Sequence, residues 1–367
     1  MTRARDTSQT QDNGGLAVAP YVAGKNRVIN GGTEIDQRYN GNSFTPVDAS
    51  FYVDRFCYGA TQASKVTTQR QTTVVPNGFT YAMKVTSSSA YSIVSTDEFE
   101  WMTRLEGSTV SDFAWGTSDA KTVTLSFYVY SSLTGTFGGS FNNSAHNRSY
   151  AFSYTINTAN TWERKTITVA GDTTGTWIND TSGYAIELLF SLGAGSARVG
   201  TAGTWGSTFL RGVTGQVNLV GTNAATWYIT GIQLELGSVA TPFSRAGGTI
   251  QGELAACQRY YTRTISGGAY ALISNAGFGV SSTQAQVLVQ FPITMRTVPS
   301  TSLDYGGALR LVDGTNSISA TTLTASNPSN QNIAINVNTA GSLTQYRPYA
   351  LSANNDSTAY IGFSAEL

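Results

Sequence analysis

Three tryptophans sit in glycine- and threonine-rich segments where a ring can meet a ligand: Trp115 in Ala114-Trp-Gly116, Trp177 in Gly175-Thr-Trp-Ile178 and Trp205 in Gly203-Thr-Trp-Gly206. Sugars stack their C–H faces on such rings while Asn, Asp and Arg bind the hydroxyls. Loop tryptophans near Asn179, Asp180 or Arg211 would therefore suit a glycan; the plainer reading is that each Trp plugs one end of a sandwich. Asp97, Glu98, Glu100, Glu106 and Asp112 form the densest acidic group, and paired carboxylates are what glycoside hydrolysis requires. Their spacing matches no strict catalytic pattern, and with Trp101, Arg104 and Leu105 among them they read as a surface loop or short helix with local Arg pairing. His146, in Asn142-Asn-Ser-Ala-His-Asn-Arg-Ser149, is either a sugar contact or an exposed loop histidine. Asp172 and Asp180 could supply oxygen ligands to Ca²⁺, but aspartate is also a common turn former. The glycan-binding candidates are thus Trp115, Trp205, Trp177, His146 and Arg211, with no catalytic, cofactor-binding or metal residue assigned.

The inventory around them is narrow. In 367 residues, 22 Lys+Arg balance 22 Asp+Glu and only 12% are charged, about half the usual share. Zero net charge and no basic run argue against nucleic acid, whose binding draws on clustered cations. Aromatics at 11% argue against disorder. A single histidine leaves a Ser/His/Asp triad or a His-based metal site without its parts. Cys57 and Cys257 stand 200 residues apart with no paired spacing, so they read as two separate thiols formed in a reducing cytosol. No apolar stretch is long enough to span a bilayer, and the first 25 residues lack the core of a signal peptide. The sequence therefore predicts a soluble, non-exported chain with no membrane insertion.

Ser, Thr, Gly, β-branched and aromatic residues point to an all-β protein with many turns. Residues 1 to about 25 show no period and read as an extended amino-terminal arm that orders only against a partner. Strand patterns begin with Phe51–Tyr58, read as one strand with Asp54 and Arg55 at a rim or paired. Val66–Val75 and Thr80–Thr86 flank the turn Pro76-Asn-Gly78 and predict a hairpin. In Val123–Tyr130 the residues Val123, Leu125, Phe127 and Val129 alternate toward a core. Lys165–Ala170, Tyr184–Leu192 and Thr226–Leu236 continue the series. Residues 26–246 are expected to form a jelly-roll β-sandwich. Residues 247–261 predict a linker helix from Thr249 to about Tyr261, capped by Thr249, with Ile250, Leu254, Cys257 and Tyr261 on one face. Residues 262–367 predict a second, smaller β-sandwich, with strands in Ala269–Phe278, Gln284–Phe291, Ser300–Leu311, Ile333–Val337 and Tyr346–Phe363.

Several strings resemble one family. Asn26-Arg-Val-Ile-Asn-Gly31 with Ile35-Asp-Gln-Arg38, the loop Leu133-Thr-Gly-Thr-Phe-Gly-Gly139, and Ile229-Thr-Gly-Ile-Gln-Leu-Glu-Leu-Gly-Ser-Val-Ala-Thr-Pro-Phe243 leading into Glu253-Leu-Ala-Ala-Cys-Gln-Arg-Tyr-Tyr261 are similar to tailed-bacteriophage tail-fibre-like virion proteins. The resemblance covers about residues 25 to 261, and the central part looks like a carbohydrate-binding jelly roll. It implies a virion structural protein assembled in the host cytoplasm, a homotrimer whose amino-terminal arm docks to other virion proteins and whose carboxy-terminal tip, residues 262–367, faces the receptor. Because heptads and a repetitive shaft are missing, a tail fibre of the short or spike type fits best. The expected role is host attachment through a surface glycan, with no catalysis and no cofactor. A capsid or collar decoration protein and a polysaccharide depolymerase are the alternatives.

Overall fold

The computed structural model describes residues 24–367, so the arm expected over residues 1 to 25 lies, apart from Gly24 and Lys25, outside the described residues. The chain divides into two compact units, one ending at Leu254 and the other Ala255–Leu367. Both are built from strands.

Among its described residues the first unit carries fourteen strands: β1 (Ser50–Phe51), β2 (Phe56–Ala60), β3 (Val66–Gln71), β4 (Ala82–Ser87), β5 (Glu98–Glu106), β6 (Val123–Ser131), β7 (Gly135–Asn143), β8 (Ser149–Ile156), β9 (Glu163–Val169), β10 (Tyr184–Ala194), β11 (Val199–Gly200), β12 (Trp205–Gly206), β13 (Gly212–Val213) and β14 (Thr226–Leu236). A five-stranded sheet has the order β9-β6-β14-β4-β3, and a seven-stranded sheet the order β12-β8-β7-β10-β5-β2-β1. Their inner faces share one apolar core. Val123, Leu125, Phe127 and Val129 of β6 are fully buried there, as the alternation required. Trp227 of one sheet meets Trp101 of the other edge to face at 6.1 Å, and Phe127 meets Phe190 at 5.0 Å. In β14 the core positions change parity, from Trp227 and Ile229 to Ile232 and Leu234. The register shift between Thr230 and Gln233 explains this, and Gly231 at φ +62° supplies the bulge that most side chains resist.

The segments Asn26–Gly31, Ile229–Phe243 and Glu253 are knitted together by buried polar groups. Asn26 donates to the carbonyls of Ile232 and Ser244, each at 3.0 Å, and its side-chain oxygen accepts from the amides of Val28 and Leu234. Glu253 accepts from the amides of Asn30 and Gly247. Replacing Asn26 by alanine strands two donors and two acceptors in a dry place. Denaturant unfolding should show a loss of about 1–3 kcal/mol, whereas an unchanged midpoint would mean that water replaces the amide.

Up to the helix, the sequence expectations need four corrections. Phe51–Tyr58 is a tight hairpin, because Val53–Arg55 turn and pair β1 with β2. Asp54 sits in that turn with its carboxylate accepting from Gln37, and Arg55 lies at φ +72°. The acidic group is mostly strand: Glu98, Glu100 and Glu106 lie on β5 and Asp97 directly precedes it, while Asp112 sits in the short helical turn Ser111–Phe113 and pairs with Arg27 at 2.7 Å, as expected of a short helix with local Arg pairing. The helix is Ile250–Gln258, with Thr249 capping it through a 3.0 Å bond from the Gly252 amide. Its buried positions are Glu253 and Cys257, while Ile250 is exposed, since Glu253 must reach two backbone amides. Finally, β7 and β8 were hidden by Gly, Ser and Asn.

The second unit holds Tyr261–Ile265, Asp304–Gly306 and Tyr360–Ser364 in a three-stranded sheet and seven further strands around a separate apolar core that includes Val287, Ile335 and Leu351. Ala269–Phe278, Ser300–Leu311 and Tyr346–Phe363 each resolve into two short strands. Ser317–Ser326, ten residues long, was unexpected because its Ser and Thr leave it largely exposed.

Candidate functional site

Two loops bring the tryptophans together. The segment after Phe113 turns at Ala114 (φ +54°) and Gly116 (φ +86°), and the segment before Trp177 turns at Gly175 (φ +81°). A side chain at Gly116 would meet the Gly175 carbonyl at 2.8 Å and the Trp177 ring at 2.9 Å, so the close approach of the loops requires glycine there. Trp115 and Trp177 then pack edge to face at 4.9 Å. Trp205, from β12 at the sheet edge, contacts Trp115 at 5.1 Å and Trp177 at 5.4 Å, also edge to face. Each indole N–H donates to a backbone carbonyl: Trp115 to Lys121 at 2.9 Å, Trp177 to Thr174 at 3.2 Å and Trp205 to Ala170 at 2.7 Å. The rings are therefore fixed, and what they offer outward is carbon surface.

Beside this group lies a cleft of about 430 Å³, within the size range of small-ligand sites. Trp115, Trp177, Phe113, Val110 and Ile178 give it apolar walls, and Ser111, Thr117, Thr176 and Asn179 give it polar ones. Trp115 is buried on Phe113 and Phe141, whereas Trp177 is half-buried and forms the open wall. Trp205 supports both from behind and does not line the cleft. Asp180 is turned to the Ser182 amide at 2.8 Å. Asp172 holds Arg148 by two bonds of 2.7 Å. These contacts fit the turn-forming reading of Asp180 and give Asp172 an arginine partner, and among the described residues no group of three or more His, Cys, Asp or Glu could hold a metal ion.

Arg211 and His146 belong to a second cluster. Phe99, Trp101 and Leu105 of β5 enter the core, so Glu98, Glu100 and Arg104 project from the opposite face of the sheet. Glu187 of β10 joins them. Its carboxylate takes Nη1 of Arg211 and Nε of Arg104 (3.2 Å), with His146 Nε2 at 3.6 Å. Arg211 Nε also lies 3.5 Å from Glu100 and 3.6 Å from Glu98, and Arg198 Nε lies 3.1 Å from Glu98. The His146 ring is stacked on Phe209 at 4.4 Å, and Arg211 lies over the same ring at 4.2 Å. Tyr184 OH is 3.3 Å from His146 Nε2.

The two buried carboxyls titrate in opposite directions. Burial pushes Glu100 up to about 8 despite the pull of Arg211, with Glu98, Glu187 and Asp48 adding repulsion. Burial also pushes Glu187 up, but Arg211, Arg104 and His146 outweigh it and hold the group below its ordinary value. Burial lowers His146, and Arg211 and Arg104 lower it further against Glu187 and Glu98, so the ring is neutral at pH 7. Such a split between neighbouring carboxyls is a pattern of acid–base sites. Here, however, Glu100 and Glu187 are 1% and 0% exposed, out of reach of a glycosidic oxygen.

The loop 143–148 links cleft and cluster. Asn143 is buried, donates to the Thr176 carbonyl at 3.1 Å on the cleft side, and accepts from the amides of Asn147 and Arg148. His146 sits in the same turn at φ +55°. Sequence reasoning missed Glu187, Tyr184, Arg198 and Phe209 as members of this cluster. Glu187 had a signal, being the one charge in the apolar run Tyr184–Leu192.

No family model matches the chain, and no curated protein matches it. Among solved structures, the enzymatically active domain of bacteriophage CBA120 tailspike protein 4 is similar over 61% of this chain and 22% of that chain, at 12% identity and a TM-score of 0.33. A CBM61 module solved with β-1,4-galactotriose is similar over 58% of this chain and 99% of that chain, at 11% identity and a TM-score of 0.29. The family 11 carbohydrate-binding module of a Clostridium thermocellum cellulosomal cellulase is similar over 54% and 96%, at 11% identity and a TM-score of 0.27. Likenesses this weak carry no weight for ligand or partner.

Proposed function

We propose that the first unit is a saccharide-binding module and that the chain is a bacteriophage tail-fibre or short-spike component that attaches to a host glycan without cleaving it. The observation that carries the binding reading is the half-buried Trp177 ring. It is locked by its own N–H bond and by two perpendicular indoles at the mouth of a cleft whose polar side chains are hydroxyls and an amide. A fixed ring loses little freedom when a sugar stacks on it, and neighbouring Ser, Thr and Asn side chains fit hydroxyl partners. The virion placement rests on the sequence strings at Asn26–Gly31, Ile229–Phe243 and Glu253–Tyr261. Self-association as a trimer and docking through the amino-terminal region follow from the same resemblance.

A glycan array probed with the full chain and with Trp177→Ala tests the binding reading. The wild-type chain should bind a defined subset of glycans, and the variant should lose about tenfold or more in affinity while remaining folded by circular dichroism. An array on which the two proteins give the same signal would remove the cleft as the site. Gold-labelled antibody on intact particles separates fibre from decoration protein, since a fibre labels the tail and a decoration protein labels the head. The depolymerase alternative is disfavoured by the burial of Glu100 and Glu187, and release of reducing ends from a bound polysaccharide would revive it.

A further inference from the structure

The cleft beside the tryptophans is graded from apolar to polar. Val110, Phe113, Trp115, Ala185 and Ile186 line it and are only 1–7% exposed, so they form its floor. The one polar side-chain atom among these five, the Trp115 indole nitrogen, already donates to the Lys121 carbonyl at 2.9 Å. Ser111, Thr117, Thr176 and Asn179 line the cleft as well, but all four are exposed and stand at its rim. Among the described residues no charged side chain lines it. The carboxylates beside it in the chain are engaged elsewhere: Asp112 pairs with Arg27 at 2.7 Å, and Asp180 accepts from the Ser182 amide at 2.8 Å.

The rim groups are not equally free. Ser111 Oγ donates to the Ser108 carbonyl at 3.3 Å, and Thr117 Oγ1 donates to the Ala114 carbonyl at 2.6 Å. The side chains of Thr176 and Asn179 make no hydrogen bond among the described residues, and they flank the Trp177 ring in the chain. A pyranose stacked on Trp177 therefore meets two kinds of wall. Hydroxyls at the rim find Thr176 and Asn179 as partners. A hydroxyl sent to the floor gives up its water and meets carbon side chains, and an unpaired polar group in such a place is costly. A methyl group there gains instead, because apolar surface leaves water on both sides.

We infer that the cleft takes a neutral saccharide carrying a methyl group, either the C6 methyl of a deoxyhexose or the acetyl methyl of an N-acetylhexosamine, and seats that methyl on the floor. A fully hydroxylated hexose has no group that matches the floor, and a uronic acid brings a carboxylate to a cleft without a cation. The inference rests on the saccharide-binding reading and narrows it to one ligand class.

Two pairs of sugars isolate the methyl group. Methyl α-L-rhamnoside and methyl α-L-mannoside differ only at C6, and methyl N-acetyl-β-D-glucosaminide and methyl β-D-glucoside differ only at C2. The full chain is titrated with each at pH 7 and the indole N–H resonances are followed by NMR, the Trp177 signal being the one lost in Trp177→Phe. At least one methyl-bearing sugar should shift that signal with about tenfold tighter binding than its hydroxylated counterpart, and the pair that shows it identifies the source of the methyl. Val110→Thr keeps the shape of the side chain and puts a hydroxyl on the floor. It should cut the preference to about threefold or less in a chain that circular dichroism shows to be folded, and an undiminished preference in that folded variant would overturn the seating of the methyl. Equal affinity within both pairs, or tighter binding of the hydroxylated members, would overturn the inference while leaving the cleft as a saccharide site. A Trp177 signal silent toward all four sugars would count against the saccharide reading itself, and the inference would fall with it.

Discussion

Replacing Glu187 by alanine lowers the stability of the first unit by about 3–5 kcal/mol, a drop in thermal midpoint on the order of 10 °C for a lobe of this size. The reason is the position of its partners. Arg211 is buried with its Nη1 on Glu187, and Arg104 brings a second guanidinium to the same carboxylate. Removing the acid leaves two cations in a place that water reaches poorly, a cost larger than the net gain from forming the pair. Glu100 is then the nearest buried acid to Arg211, so its proton should leave at a lower pH than in the wild-type protein. A variant that unfolds at the wild-type midpoint would mean that this face is wetter than the geometry indicates.

Glu100→Gln, on the same face, has a different signature, because Glu100 is already neutral near pH 7. The unfolded glutamate ionises near 4.5 and the folded one near about 8. Between those values the folded state holds a proton that the unfolded state has lost. Stability from this group is therefore full below about pH 4.5, falls as pH rises toward about 8, and is level above. Glu187 runs the other way, since its lowered value gives stability that is lost only in acid. His146, also lowered, likewise loses its contribution as pH falls. Gln at position 100 keeps a neutral side chain of the same shape and removes the falling limb. Urea unfolding at about pH 5 and about pH 9 should show the wild-type protein losing on the order of a few kcal/mol relative to the variant. Parallel pH curves for the two proteins would contradict the burial of that carboxyl.

Much of the first unit was legible because its strands alternate: Val123–Tyr130 and the hairpin around Pro76-Asn-Gly78 can be read residue by residue. The strands that escaped are those where polar side chains do structural work on a sheet face. Glu98–Glu106 alternates cleanly, with Phe99, Trp101 and Leu105 inward, but the outward Glu and Arg residues mimicked a solvated loop. Their burial depends on Glu187 and Arg211, which lie 87 and 111 residues beyond Glu100 in the sequence, and no local pattern announces such a pairing. For the same reason the tryptophans could be named but not placed. Trp115, Trp177 and Trp205 stand about 30–60 residues apart, and only the facing turns at Gly116 and Gly175 bring the first two into contact.

The measurement closest to the central claim is a structure of the chain with the tightest-binding saccharide from the array. The expected result is a sugar ring lying face-on against Trp177 within about 4 Å, with hydroxyls bonded by Thr176, Asn179 or Ser111. A saccharide seated elsewhere on the chain, with the cleft holding only solvent, would contradict it.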